Sequence, residues 1–166
     1  MTKFVSESLS EAHLLDEFTC GVAALDGWLV RSAHHAQSMR TARTFVWHRG
    51  DRCVVAYFSL AAHLLNRADM PTRAGRGSPD QIPAVMLARL ALSTELHSEG
   101  LGGELLHDAL TRAVATSELA GARLVVVDAI NESAAEFYRH HGFVSVPGNP
   151  SRLVQKMSDI AASIAV

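Results

Sequence analysis

The sequence predicts an α/β protein of the α+β type, with a mixed, mostly antiparallel central sheet and helices on both of its faces. Segments rich in β-branched and aromatic residues alternate with segments of helical periodicity, in the order βαβββαβαββ. The chain has 166 residues, of which 48% are hydrophobic and 19% charged, a composition that suits one full core. We therefore expect residues 1–166 to form a single domain.

The first half of the chain should supply one helix and a hairpin. Residues 2–8 suit a first strand, and apolar positions three and four apart predict a helix over 22–39. The segments 41–49 and 51–65 are rich in β-branched and aromatic residues and are separated by a Gly-Asp turn, which predicts an antiparallel hairpin. Residues 66–83 contain three prolines and two glycines, so we expect an unstructured functional loop there.

The second half alternates strands with helices. A near-continuous apolar run predicts a buried strand over 83–92, and helical spacing follows over 104–121, which ends on a glycine. A second buried strand over 123–129 leads into a short helix over 131–142, with an asparagine cap at its start. Two final short strands should form a hairpin around residues 147–150.

Composition excludes several classes of protein. The formal charge of −2 excludes a globally basic nucleic-acid binder, and the longest apolar runs are too short to span a bilayer. No apolar stretch follows Lys3, so we predict neither a signal peptide nor membrane insertion and expect a cytoplasmic protein. Cys20 and Cys53 lack CxxC spacing and are expected to be reduced thiols.

Charge is nevertheless segregated along the chain. Residues 31–89 hold nine arginines against three acidic residues, whereas residues 1–30 and 90–166 are each net acidic. Because the planar guanidinium suits bidentate phosphate contacts, this middle segment is a candidate face for a polyanion. A scattered, solvated surface is the alternative, and the sequence leaves both open.

A glycine-rich turn follows the strand over 83–92. Gly100, Gly102 and Gly103 would let backbone N–H groups approach a ligand, and the helix behind them would place a partial positive charge there. This is the outline of a pyrophosphate cradle, although it is neither a P-loop nor a GxGxxG motif. An ordinary tight turn is the alternative.

The nine histidines do not predict a metal site. His34-His35 and His140-His141 are adjacent pairs that point to different faces of a helix, and no two histidines are four residues apart. We therefore expect no bound metal.

Two stretches resemble the signatures of the GNAT superfamily of N-acetyltransferases. RLALSTELHSEGLGGELL is similar to the family's acyl-CoA loop, and NESAAEFYRHHGF is similar to its second signature. The second match lies at Asn131, Ala134, Phe137, Tyr138, Gly142 and Phe143. FTCGVAALDGWLVRSAHHAQ and IPAVMLARLAL resemble one branch more closely, the GNAT toxins of bacterial toxin-antitoxin pairs, so that the resemblance spans about residues 18–157.

The resemblance implies an acetyl-CoA site. It assigns backbone pairing with the pantetheine arm to Leu90, Ala91 and Leu92, and a pantetheine contact to Asn131. The N–H groups that would hold the pyrophosphate are those of His97, Ser98, Glu99, Gly100, Leu101, Gly102 and Gly103. Tyr138 would be the general acid that donates to the departing thiolate. His97 stands where the family has Gln or Arg, and Glu99 would repel a pyrophosphate.

The acceptor is expected to be an α-amine. A lysine amine with a pKa near 10.4 needs a base, whereas an α-amino group titrates near 7.7 and is partly free at neutral pH. Relatives that acetylate protein tails carry a carboxylate near the position of Arg89. The predicted acceptor-binding residues are Arg31, Arg73, Arg76 and Arg89, and the resemblance implies that the acceptor is an aminoacyl-tRNA.

The resemblance also implies partners. These are a toxin homodimer and a small ribbon-helix-helix antitoxin encoded nearby, whose acidic C-terminal segment would cover the active-site groove. Two other functions stay open. One is a metabolic GNAT enzyme that acetylates a small amine, and the other is a low-activity acyl-CoA-binding module that acts through a partner or DNA.

Overall fold

The computed structural model describes residues 3–165 and confirms the predicted sheet. Its strands are β1 Val5–Ser8, β2 Arg43–His48, β3 Ala56–Asn66, β4 Gln81–Leu92, β5 Leu124–Asp128, β6 Val144–Val146 and β7 Asn149–Lys156. The seven strands lie in the order β1-β2-β3-β4-β5-β7-β6. β4 and β5 are parallel, whereas β1–β2, β2–β3, β5–β7 and β6–β7 are antiparallel.

The helices are more numerous than the sequence predicts. They are α1 Ala23–Arg31, α2 Ala33–Ser38, α3 Thr72–Gly75, α4 Leu101–Ala120, α5 Glu132–His140 and α6 Met157–Ile164. Among the described residues, no helix has the length and apolar character needed to cross a membrane. By their contacts the residues fall into two compact units. The first runs to Ala61 and includes Ala88–Leu106, and the second holds Ala62–Leu87 and the chain from His107 onward.

The first unit is built around a core under α1 and α2. Leu29 and Ala33 are fully buried there with Val46 and Tyr57. The prediction of one helix over 22–39 is wrong, because Ser32 leaves helical geometry with φ −128° and ψ −26°. Since Leu29 and Ala33 keep an i, i+4 spacing across the break, apolar periodicity alone does not reveal it.

The second unit corrects the prediction of an unstructured loop over 66–83. A 3-10 helix and α3 lie in this stretch, and Met70 and Ala74 are buried in the unit's core. The guanidinium of Arg67 donates to the carbonyl oxygen of Ser78 at 2.6 Å and to Asp80 at 2.9 Å, which ties the stretch together. Buried side chains and these hydrogen bonds outweigh the turn-forming tendency of the prolines and glycines.

Candidate active site

The turn after β4 contains one conformationally special glycine rather than three. Gly100 has a φ of +71°, in the left-handed region that favours glycine, and it ends a 3-10 helix over Thr94–Glu99. Gly102 and Gly103 instead lie in the first turn of α4, which begins at Leu101. The N–H groups of this first turn have no acceptor within the helix, so they are available to an anion.

The His97 side chain is hydrogen-bonded to the end of β4. Its Nε2 donates to the carbonyl oxygen of Leu92 at 2.7 Å, on the last residue of β4. The ring therefore occupies one backbone acceptor of the three residues that the resemblance assigns to pantetheine. Ser98 and Glu99 are exposed beside it.

Strand β4 continues past the end of its parallel partner β5. The ladder between β4 and β5 runs from Ala84 to Leu87 and ends there, before the predicted residues Leu90, Ala91 and Leu92. Ala91 is buried in the core of the first unit, whereas its two neighbours are half-buried. The chain passes from the end of β4 through a left-handed glycine into the N-terminus of α4, and this stretch offers backbone N–H donors that fit a diphosphate. The negative charges of Glu99 and Glu104 act against diphosphate binding.

Tyr138 is held on α5 in the second unit. Asn131 caps this helix by accepting the N–H of Ala134 at 2.8 Å, as predicted. The ring of Tyr138 packs edge-on against Phe137 and Phe143, with centroid distances of 5.3 and 5.6 Å. Burial raises the pKa of its phenol to about 12. Among residues 3–165 the hydroxyl has no hydrogen-bond partner, so it can donate to a ligand.

The four predicted acceptor-binding arginines divide between the two units. Arg31 and Arg89 belong to the first unit, and Arg73 and Arg76 to the second. Arg73 is exposed and lies 3.6 Å from a carboxylate oxygen of Asp159. Arg89 is half-buried, with its guanidinium 3.8 Å from the centre of the Trp28 ring.

Most of the predicted site residues do not line either of two cavities. One of about 630 Å³ in the first unit is lined by four acidic residues and one basic residue, Arg49, which is paired with Glu95, so the lining is net acidic and does not suit a polyanion. It contains none of the predicted site residues. A smaller cavity of about 200 Å³ in the second unit includes Arg73.

Sequence patterns do not predict a cluster formed by Glu7, His13 and His48. His13 and His48, both almost fully buried, direct Nε2 at the same carboxylate oxygen of Glu7, at 2.8 and 2.7 Å. The pairing of β1 with β2 brings Glu7 beside His48, and His13 reaches the same carboxylate from the bend that follows β1. The sequence carries no sufficient signal for this cluster, because Glu7 and His48 become diagonal neighbours only through the register that pairs Glu7 with Val46 and Val5 with His48.

The cluster has the ligand types of a metal centre but the wrong tautomers. The backbone N–H of Ser10 donates to Nδ1 of His13, and that of Gly50 donates to Nδ1 of His48, each at 3.0 Å. Each Nδ1 therefore carries the lone pair and each Nε2 carries the hydrogen. A metal ion needs the lone pair on Nε2, so this geometry suits two hydrogen bonds to a carboxylate instead.

Comparison with known proteins gives a consistent set of similarities. No protein-family profile matches the chain. A tRNA-acetylating toxin of Mycobacterium tuberculosis is 35% identical over 156 residues, which are 94% of this chain and 93% of that protein. The solved structure of AtaT complexed with acetyl-methionyl-tRNAfMet superposes with a TM-score of 0.90, at 27% identity, and covers 97% of this chain and 99% of that one.

A second solved structure adds the cofactor and a protein partner. It contains an AtaT mutant toxin bound to the C-terminus of the antitoxin AtaR and to acetyl-CoA. Its TM-score is 0.85 at 26% identity, and it covers 99% of both chains.

Proposed function

The chain belongs to the GNAT-type tRNA-acetylating toxins, and from this premise we propose that it transfers an acetyl group from acetyl-CoA to the α-amine of an aminoacyl-tRNA and so blocks translation. The observation that carries the proposal is the similarity to the Mycobacterium tuberculosis toxin along nearly the whole chain. The proposed amide product has lost the free amine that peptide-bond formation requires.

The cofactor contacts are proposed from the strand end, the turn and α5. Backbone groups of Leu90, Ala91 and Leu92 would hold the pantetheine arm, and Asn131 would contact it through its amide NH₂, since its oxygen caps α5. The N–H groups of residues 97–103 would hold the pyrophosphate. Those at the start of α4 are the best suited, because they have no hydrogen-bond acceptor within the helix. Acetyl-CoA supplies the acetyl group as a thioester.

Tyr138 is proposed as the proton donor to the leaving sulfur. A phenol with a pKa of about 12 is fully protonated at neutral pH, so the donor is always in the required state. Its unpartnered hydroxyl loses no protein hydrogen bond when it turns to a ligand.

The acceptor is proposed to bind through arginine contacts to its phosphates. Arg31, Arg73, Arg76 and Arg89 are the proposed residues, and none of the four is fully buried. An α-amine needs no strong base, which agrees with the lack of a predicted carboxylate on β4.

A nearby antitoxin, a homodimer and a cytoplasmic location complete the proposal. The AtaT complex with the C-terminus of AtaR supports a protein partner of this kind. We propose the ribbon-helix-helix class from the family resemblance alone. We propose an acidic tail because residues 31–89 carry an excess of arginine. A low-activity acyl-CoA-binding module is the second candidate. Two features favour it: His97 already bonds the carbonyl oxygen of Leu92, and the negative charge of Glu99 would repel the pyrophosphate.

Transfer of labelled acetyl groups tests the proposal directly. The purified chain is incubated with labelled acetyl-CoA and a pool of charged tRNA, with uncharged tRNA and small amines as matched controls. Label that appears only on charged tRNA and is released with its amino acid is the expected result. Label on small amines alone would identify a metabolic enzyme, and no label on any acceptor would favour the binding module.

A further inference from the structure

Helix α1 carries an aromatic ring with an arginine guanidinium over its face. The guanidinium of Arg89, from β4, lies 3.8 Å from the centre of the Trp28 ring. Trp28 stacks in turn on Tyr57, with an angle of 11° between the planes. Because the hydroxyl of Tyr57 donates to the carbonyl oxygen of Leu25 at 2.6 Å, the ring below Trp28 is fixed.

The preceding residue of α1 makes room for a second arginine. Gly27 is buried, and a Cβ atom at this position would lie 2.7 Å from Cζ and 3.0 Å from Nη1 of Arg31. The guanidinium of Arg31 therefore lies over the backbone of Gly27, in space that any other side chain would fill. Glycine is otherwise a poor choice inside a helix, where it costs about 0.5–1 kcal/mol relative to alanine.

Both guanidinium groups lack an anionic partner among residues 3–165. Asp26, the acidic residue of α1, instead accepts the backbone N–H of Cys20 at 2.9 Å. Burial also lowers the pKa of Arg89, which shows that its charge is partly desolvated without compensation by a carboxylate. Two oriented, uncompensated guanidinium groups are the arrangement that recognises phosphate with little loss of side-chain entropy.

We infer that Gly27 and Trp28 position Arg31 and Arg89 as a preformed contact for two phosphates of the acceptor's nucleic-acid backbone. The inference rests on the proposed function, which makes the acceptor a nucleic acid, and it goes further by naming the residues that orient the contact. Gly27 and Trp28 are positioning residues, because they act through the arginines.

Gly27→Ala is the decisive variant. Its Cβ displaces only the flexible end of Arg31, so the protein should fold and gain thermal stability while affinity for charged tRNA falls about fivefold to tenfold. The logarithmic salt slope of binding should decrease by about 0.7 to 0.9, the range for one lost phosphate contact in single-stranded to duplex nucleic acid. Acetyl-CoA affinity, measured by calorimetry, should not change. If Gly27 matters only for folding, Gly27→Ala should change the thermal stability and leave the salt slope of tRNA binding unchanged, which would contradict the inference.

Matched variants isolate each arginine. Arg31→Ala should reproduce the slope of Gly27→Ala, and the double variant should equal Arg31→Ala, because Gly27 acts through Arg31. Trp28→Leu should lower the slope as Arg89→Ala does, whereas Trp28→Phe, which keeps an aromatic face, should retain most of the binding. Arg43→Ala removes an exposed arginine of β2 in the same unit and should leave the slope unchanged.

The outcomes separate this inference from the proposed function. If the parent acetylates charged tRNA but Gly27→Ala and Arg31→Ala bind it with the parent's affinity and salt slope, the phosphate contact is refuted and the function stands. If these variants lose affinity only for an acidic peptide, the contact belongs to a protein partner and the inference is wrong. A parent that acetylates no charged tRNA refutes the proposed function, and the phosphate contact with it.

Discussion

At the scale of single residues, the environment of Tyr138 makes a sharp prediction. Tyr138→Phe keeps the ring against Phe137 and Phe143 but removes the proton donor. Turnover should fall about 10²- to 10⁴-fold, with little change in acetyl-CoA affinity. Because the pKa of the phenol is about 12, the parent's rate should show no loss from phenol ionisation between pH 7 and 10. Unchanged turnover in the variant would remove Tyr138 from the mechanism.

Glu7 makes a prediction about stability rather than activity. Hydrogen bonds from His13, then from His48, lower the pKa of its carboxyl, so its contribution is fully present above the unfolded value and is lost as pH falls through the folded one. The parent should therefore lose thermal stability as the pH falls below about 4.3, the ordinary pKa of a glutamate carboxyl. Glu7→Gln keeps the accepting oxygen and should flatten this decline, whereas Glu7→Ala should lower the melting temperature already at pH 7. Identical acid profiles for parent and Glu7→Gln would contradict the prediction.

At the scale of elements, sequence patterns predict those features that depend on local geometry. Residue types and spacing predict the strands, the Asn131 cap and the turn at Gly142. Gly142 has a φ of +96°. The break at Ser32 and the helix α3 do not, because they depend on burial against distant strands. The same holds for the Glu7 cluster, since strand register determines which side chains meet.

The start of α4 gives a prediction at this scale. Gly102→Asp places a side chain and a negative charge in the first turn, whose N–H groups have no acceptor within the helix and are proposed to hold the pyrophosphate. We expect acetyl-CoA affinity to fall at least tenfold by calorimetry, with the fold retained, because an acidic residue is favourable in a first helical turn. Gly102→Ala adds bulk without charge and separates the two effects. Full retention of binding by Gly102→Asp would mean that the cradle lies elsewhere.

At the scale of the whole molecule, the sequence predicts one domain, and two probes can test this. Trp28 and Trp47 both lie in the first unit, so tryptophan fluorescence reports on it alone. Far-UV circular dichroism also reports on the second unit, which holds α5, α6 and most of α4. A single domain requires coincident unfolding midpoints from the two signals in urea. Separate midpoints would show that the two units unfold independently.

The proposed biological role predicts a growth phenotype that depends on chemistry. Expression of the chain should arrest growth of its host, because acetylated aminoacyl-tRNA cannot accept a peptide. Tyr138→Phe, expressed to the same level, should not arrest growth, since this variant keeps the proposed tRNA-binding surface but lacks the proton donor. Co-expression of the neighbouring small gene should relieve the arrest by the parent.

The control variant decides between toxicity from catalysis and toxicity from binding. If Tyr138→Phe arrests growth as strongly as the parent, sequestration of tRNA rather than acetyl transfer is the toxic event, and the proposed mechanism is wrong. If the parent is harmless although it turns over acetyl-CoA in vitro, the result favours a metabolic enzyme that acetylates a small amine. Only arrest that requires the Tyr138 hydroxyl and is accompanied by acetylated aminoacyl-tRNA in the arrested cells supports a toxin that works by acetyl transfer.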